Sequence, residues 1–229
     1  MNNSANPERE NSNEPPATGR ALRLQAYGGP EALTVDRETA SEPGPGEVLV
    51  SVKAAAVNGI DWKIREGHLR ERFKLILPAT LGIEMAGVVL RTGPGVKGVK
   101  AGDRVMAALG GVGAYADHLV IDAGKLIQTP KALSDVQAAA IPVASMTAWH
   151  VIQAAGFDLS GRRLLIQGAA GGVGGFAVQF AKAAGAVVYA TASTTSLQHV
   201  RALGADEVID YRHQTWGISR ARLTSSSTW

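Results

Sequence analysis

The residues best ordered for chemistry are Gly168-Ala169-Ala170-Gly171-Gly172-Val173-Gly174. A turn with few Cβ atoms brings its N–H groups close to a phosphate, and a helix starting there adds the positive end of its dipole. The spacing Ala169-x-Gly171-x-x-Gly174 is a variant of the dinucleotide fingerprint. Gly171 would admit the pyrophosphate, Gly172 and Val173 would offer helix-start N–H groups, and Gly174 would let the helix lie on its strand. Ala169 replaces the usual first glycine. Roughly 20 residues past such glycines, a site for NAD carries a carboxylate for the ribose 2′-OH. This chain has Thr191-Ala192-Ser193-Thr194-Thr195 there. Neutral hydroxyls remove repulsion toward a 2′-phosphate and leave Ser193 and Thr194 as donors, so the cofactor reads as NADP(H).

The flanking elements fit that chemistry. Leu164-Leu165-Ile166 is too short for a helix and ends at a glycine, as a buried strand does. Val173, Phe176, Ala177, Phe180, Ala181 and Ala184 form an apolar helical stripe closed by Gly185. Ala186–Thr191 reads as a second strand, giving a βαβ unit.

Composition sets wider bounds. With 229 residues, 45% of them hydrophobic, the chain can bury a core and is expected to hold two domains. It has no cysteine, hence no disulfide, thiolate metal site or cysteine nucleophile. No apolar run approaches the ~18 residues of a membrane span. The net charge of +3 is carried by Arg212, Arg220 and Arg222, because residues 1–211 hold 20 basic and 20 acidic side chains. Neither nucleic acid nor membrane is expected as a partner.

Met1–Arg20 has no apolar periodicity and reads as disordered, without the pattern of a signal or transit peptide. Residues 21–128 carry mainly β signals, with strands expected at Glu47–Val52, Gly82–Leu90, Asp103–Ala107 and Ala114–Ile121. Ser134–Ala155 reads as helical with Pro142 interrupting, inside a second domain at 129–212. Residues 213–229 read as an irregular tail.

Taken in order, Asn58-Gly-Ile-Asp61-Trp62, Gly82-Ile-Glu84-x-x-Gly87-(x5)-Gly93-x-x-Val96, Gly102-Asp103-Arg104-Val105, the Ala-Gly-Gly-Val-Gly turn and Leu203-Gly-Ala-Asp-Glu-Val-Ile-Asp-Tyr211 resemble the medium-chain dehydrogenase/reductase family. Within it, the chain is most similar to the zinc-independent quinone oxidoreductase branch over about Ala21–Tyr211. The resemblance implies an α/β chain with a GroES-like catalytic domain, a Rossmann cofactor domain, NADPH as hydride donor and a homodimer. It also places Thr147 beside the nicotinamide and Tyr211 near the phosphate. Where relatives often have a Lys this chain has Leu197, so the cation is left as Arg201, Arg212 or none.

Zinc-dependent relatives hold Cys where this chain has Asn58, His where it has Ile83, and a third ligand near Val143. A catalytic zinc wants three N, S or O ligands, and two of these places are apolar, so no metal is expected. Without a Lewis acid, the reasonable acceptor is a quinone or enone, whose reduction spreads the developing charge. Asn58 is the candidate lining that cleft through its amide, with Asp61 and Trp62 as further candidates. In plain structural terms, Asn58 would be the turn before a helix, Asp61 an N-cap and Trp62 core. Glu84 and Asp103 read as structural, and the five histidines show no ligand spacing. An enoyl-thioester acceptor, or a nucleotide-binding remnant without catalysis, are the alternatives. Only the first half of a Rossmann sheet is legible, so the chain reads as truncated, with strand 164–167 left as an unpaired edge.

Overall fold

The computed structural model describes residues 17–156, 158–214 and, by backbone alone, 225–227. They divide at Ala139/Ala140 into two compact units.

The first unit runs β1 (Thr18–Leu24), β2 (Leu33–Thr39), β3 (Glu47–Ala55), α1 (Gly59–Arg65), β4 (Ala79–Thr80), β5 (Glu84–Thr92), β6 (Arg104–Ala108), β7 (His118–Asp122), β8 (Ile127–Gln128) and α2 (Asp135–Ala139). Two antiparallel sheets form, in the orders β7-β3-β5-β6-β8 and β2-β1-β4. Val48, Leu49 and Val50 are all buried because β3 lies inside its sheet with both faces covered. Val48 and Val50 build one core cluster with Met85, Val89, Val105 and Ala107. The part of this unit beyond Gln128 is held by Arg104, whose guanidinium reaches Asp135 at 2.6 Å and the Leu133 carbonyl at 2.8 Å.

Three sequence expectations change here. Thr18–Arg20 are ordered in β1, paired along its length with β2, and residues 1–16 lie outside the described residues. The strand expected from Gly82 starts at Glu84, because Gly82 takes a left-handed φ of 88°. Ala114–Asp117 is a loop, not strand: the Tyr115 N–H donates to the Leu81 carbonyl and the Tyr115 carbonyl accepts from Leu22.

The second unit contains α3 (Pro142–Gln153), β9 (Arg163–Ile166), α4 (Gly172–Ala183), β10 (Val187–Ala192), a 3-10 turn at Thr194–Ser196, α5 (Leu197–Ala202), β11 (Glu207–Asp210) and β12 (Ser225–Ser227). Pro142 interrupts the helical stretch, as expected, with α2 ending at Ala139 and α3 beginning anew. It occupies the first turn of α3, where its missing N–H costs nothing. The sheet is parallel throughout, in the order β11-β10-β9-β12. Strand β9 is therefore not the open edge expected: Ser225–Ser227 pairs with Leu164–Ile166, at the place a fourth Rossmann strand takes. The buried face of α4 is also turned from the expected stripe. Gly174, Ala177, Val178 and Ala181 are buried, while Phe176 and Phe180 flank them at partial burial. Small residues face the sheet so that the helix sits close.

That closeness is set at Gly174. A Cβ there would collide with the Gly168 carbonyl oxygen and lie 2.9 Å from the Ala169 Cα, both rigid backbone. Gly174→Ala is expected to destabilise the second unit by ~1–3 kcal/mol, the usual cost of overpacking. Urea unfolding checks this, and a change within error would contradict the packing described.

Candidate functional site

Two clusters of polar groups coincide with the residues singled out from sequence, one in each unit. In the first unit, Asn58 is the N-cap of α1 in extended conformation. Its side-chain amide donates to Glu84 Oε1 at 2.7 Å, and its backbone N–H donates to Asp61 Oδ2 at 2.7 Å. Asp61 is thus not an N-cap but the third helical residue, reaching back to the cap. Tyr115 completes the cluster: its hydroxyl lies 2.9 Å from Asp61 Oδ2 and 3.3 Å from the Ala56 carbonyl. The Tyr115 ring covers Gly82, where a Cβ would stand 2.5 Å from it.

Burial governs the electrostatics. Asp61 is 5% and Glu84 1% exposed. Loss of water pushes the Asp61 carboxyl above the usual carboxylate range, against the Asn58 and Tyr115 hydrogen bonds that lower it. Asp61 Oδ1 is buried with no hydrogen-bond partner among the described residues. The Tyr115 hydroxyl is raised by burial and by the neighbouring Asp61 and Glu84 charges, so it keeps its proton as a donor. Sequence reasoning missed Tyr115, since no spacing rule links it to a helix 54 residues upstream. Trp62 is not core: it is 45% exposed, edge-on to His68. Asp103 stands apart, closing its own turn through Lys100.

In the second unit, the glycine turn is clamped by β10. The Gly168 N–H donates to Thr191 Oγ1 and the Ala169 N–H to the Thr191 carbonyl. The left-handed position is Gly168 (φ 64°), so Ala169 escapes any penalty and is fully buried. Gly171 is the N-cap of α4 and exposed, and Gly172 and Val173 open the first turn. The first N–H groups of any α-helix lack intrahelical partners, and here they adjoin residues without side chains. Thr147, on α3, is exposed and donates its hydroxyl back to the Val143 carbonyl at 2.7 Å. Ser193 and Thr194 follow β10 at the same sheet edge. Thr194 Oγ1 donates to Asp210 Oδ2 at 2.6 Å, and half-exposed Tyr211 follows that aspartate. No local pattern points to Asp210 as a neighbour of this edge, because its carboxylate arrives from the next strand.

A β-rich GroES-like unit followed by a half-Rossmann sheet with a glycine turn defines the class: a nucleotide-dependent oxidoreductase architecture. Residues 44–131 match the family model described as "Alcohol dehydrogenase GroES-like domain", and residues 172–225 match "Zinc-binding dehydrogenase". A chloroplast envelope quinone oxidoreductase homolog of Arabidopsis thaliana is 38% identical over 84% of this chain and 61% of its own. The quinone oxidoreductase of Coxiella burnetii superposes with a TM-score of 0.78 at 32% identity, over 86% of this chain and 64% of its own. The Escherichia coli quinone oxidoreductase, solved with NADPH, gives 0.75 at 36% identity, over 87% and 60%. By these matches the chain is similar to the medium-chain dehydrogenase/reductase family and to its quinone oxidoreductases. It spans less than two thirds of the length of these relatives.

The buried Asp61 yields a pH test. Its folded carboxyl binds a proton more tightly than the unfolded one. Stability tied to it is therefore greatest below the ordinary aspartate range and falls as pH rises through the raised folded value. Between pH 4 and 7, the urea midpoint of the native chain is expected to fall relative to that of Asp61→Asn. Parallel curves would contradict the burial effect.

Proposed function

We propose that this chain is the nucleotide-holding and acceptor-facing part of an NADPH-dependent oxidoreductase that reduces a quinone or another conjugated carbonyl without zinc. The observation that carries the reading is the α4 start, packed against β9 and followed across the sheet by the hydroxyls of Ser193 and Thr194. Gly171, Gly172, Val173 and Gly174 would hold the pyrophosphate, with Ala169, buried and bonded through its N–H to Thr191, shaping the turn, and Ser193, with Tyr211 near it, would meet the 2′-phosphate side. Thr147 would lie beside the nicotinamide. NADPH, when bound, supplies the hydride, and the Escherichia coli relative was solved in complex with this dinucleotide.

What this chain adds is positioning and charge stabilisation. Glu84 takes one amide hydrogen of Asn58 and fixes the side chain, leaving its second amide hydrogen for another partner. A fixed donor stabilises the oxyanion that forms as a conjugated carbonyl is reduced. Zinc independence is supported by the chemistry at the three places the family resemblance gives to ligands. Asn58 is an amide, Ile83 a buried hydrocarbon and Val143 apolar. We place the protein in the cytoplasm; the homodimer that the resemblance implies is that of the full-length relatives. Lack of cysteine accords with that compartment. Among the described residues no helix is long and apolar enough to cross a membrane. The Arabidopsis relative's name points to a chloroplast envelope instead.

Two measurements test the reading. With a panel of benzoquinone, naphthoquinone and crotonyl thioester, NADPH oxidation is expected with the quinones and unchanged by a zinc chelator. Dependence on added zinc would overturn it. Ser193→Asp is expected to weaken NADPH binding about tenfold or more, ~1.4 kcal/mol, and NADH binding far less. Equal losses would overturn the NADP(H) assignment.

A further inference from the structure

Neither Arg201 nor Arg212 is held at the end of β10 by a side-chain contact among the described residues, yet one ring that can carry positive charge is. Strands β10 and β11 run parallel with Ala192 opposite Asp210, which brings the Asp210 carboxylate beside the residues that follow β10. Thr194 Oγ1 donates to Asp210 Oδ2 at 2.6 Å, and His213 Nδ1 stands 3.0 Å from the same oxygen and 3.2 Å from Thr194 Oγ1. The Arg212 N–H donates to Asp210 Oδ1 at 3.0 Å, and the His213 N–H to the Asp210 carbonyl at 3.1 Å. Thr194 and His213 hold the Asp210 carboxyl below the usual aspartate range, Thr194 most strongly. It stays ionised, accepting three hydrogen bonds from this chain.

Two consequences follow from hydrogen-bond capacity. The single hydroxyl hydrogen of Thr194 is committed to Asp210, so Thr194 positions the cluster and does not donate to a ligand. A carboxylate only accepts, so the imidazole keeps its hydrogen on Nδ1, and Nε2 is the nitrogen left to meet a ligand. The His213 side chain is 69% exposed and that of Asp210 10%, so the acid is the inner group and the ring the outer one. Neutral, the ring offers Nε2 as an acceptor. Protonated, it offers a charged N–H, which an anion prefers.

We infer that His213, fixed by Asp210 and Thr194, is the cation that meets the 2′-phosphate, so that preference for NADPH over NADH depends on protonation of this ring. The inference rests on the nucleotide reading above. Among the described residues the groups that contact the His213 ring are Asp210 from β11 and the uncharged Thr194 from the 3-10 turn, with Tyr211 and Arg212 adjacent in its own turn.

Nucleotide fragments test it without turnover. Calorimetric titration of the whole chain with 2′-phospho-ADP-ribose and ADP-ribose at pH 5.5 and 8.0 gives the affinity ratio due to the 2′-phosphate. A phosphate monoester gains negative charge over this range, so the ligand alone would push the ratio up with pH. In the native chain the ratio is expected to fall about tenfold or more from pH 5.5 to 8.0, the scale of one charge-assisted hydrogen bond. His213→Gln is expected to give a low ratio with no fall, and His213→Lys a high ratio at both pH values. A Gln variant that keeps the native ratio and its fall would overturn the role of His213 while leaving the nucleotide site standing. Failure of ADP-ribose itself to bind would refute the nucleotide site, and the inference with it.

Discussion

Helix α4 meets the end of β9 through bare backbone, and the cofactor half of the molecule is built on that approach. Gly174 sits where any side chain would strike the Gly168 carbonyl, so the first turn of the helix is drawn onto the turn that precedes it. Thr191 secures the other side, its carbonyl and hydroxyl both accepting from the Gly168–Ala169 segment. Polar backbone that would otherwise be buried without partners is thereby satisfied. The result is a row of helix-start N–H groups backed by a dipole and held by three neighbouring pieces of chain, a ready place for phosphate. Ala177, Val178 and Ala181 then carry the same closeness along the sheet.

The first unit meets a different constraint: ionisable groups removed from water. Asn58, Asp61, Glu84 and Tyr115 come from a helix start, a strand and a loop, and each of their hydrogen bonds also limits where the next group can point. Buried charge is costly unless partnered: Asp61 Oδ2 takes hydrogen bonds from Asn58 and Tyr115, while Oδ1 has no partner among the described residues.

Much of this is legible from residue order. The β9–α4–β10 unit, its glycines, the central β strands and the helices around Pro142 follow from local pattern. What escapes depends on partners distant in sequence. Tyr115 is tied to Asp61 by the sheet, not by spacing, and Asp210 reaches Thr194 only through the parallel register of β10 and β11. The buried face of α4 differs from the apolar stripe because size is not burial: the phenylalanines flank the helix, and glycine and alanine face the sheet. The partner of β9 is hidden because Ser225–Ser227 carries no β signal of its own, and pairs through backbone alone.

The central claim is that the amides between Gly168 and Gly175 hold reduced dinucleotide, and amide hydrogen exchange reads those groups one by one. With NADPH at about ten times its dissociation constant, exchange of the Gly172, Val173 and Gly174 N–H groups is expected to slow about tenfold, following occupancy. The amides of the first unit's sheet core would serve as the unchanged reference. Binding of NADPH that leaves the α4 amides exchanging at their free rate would contradict the claim.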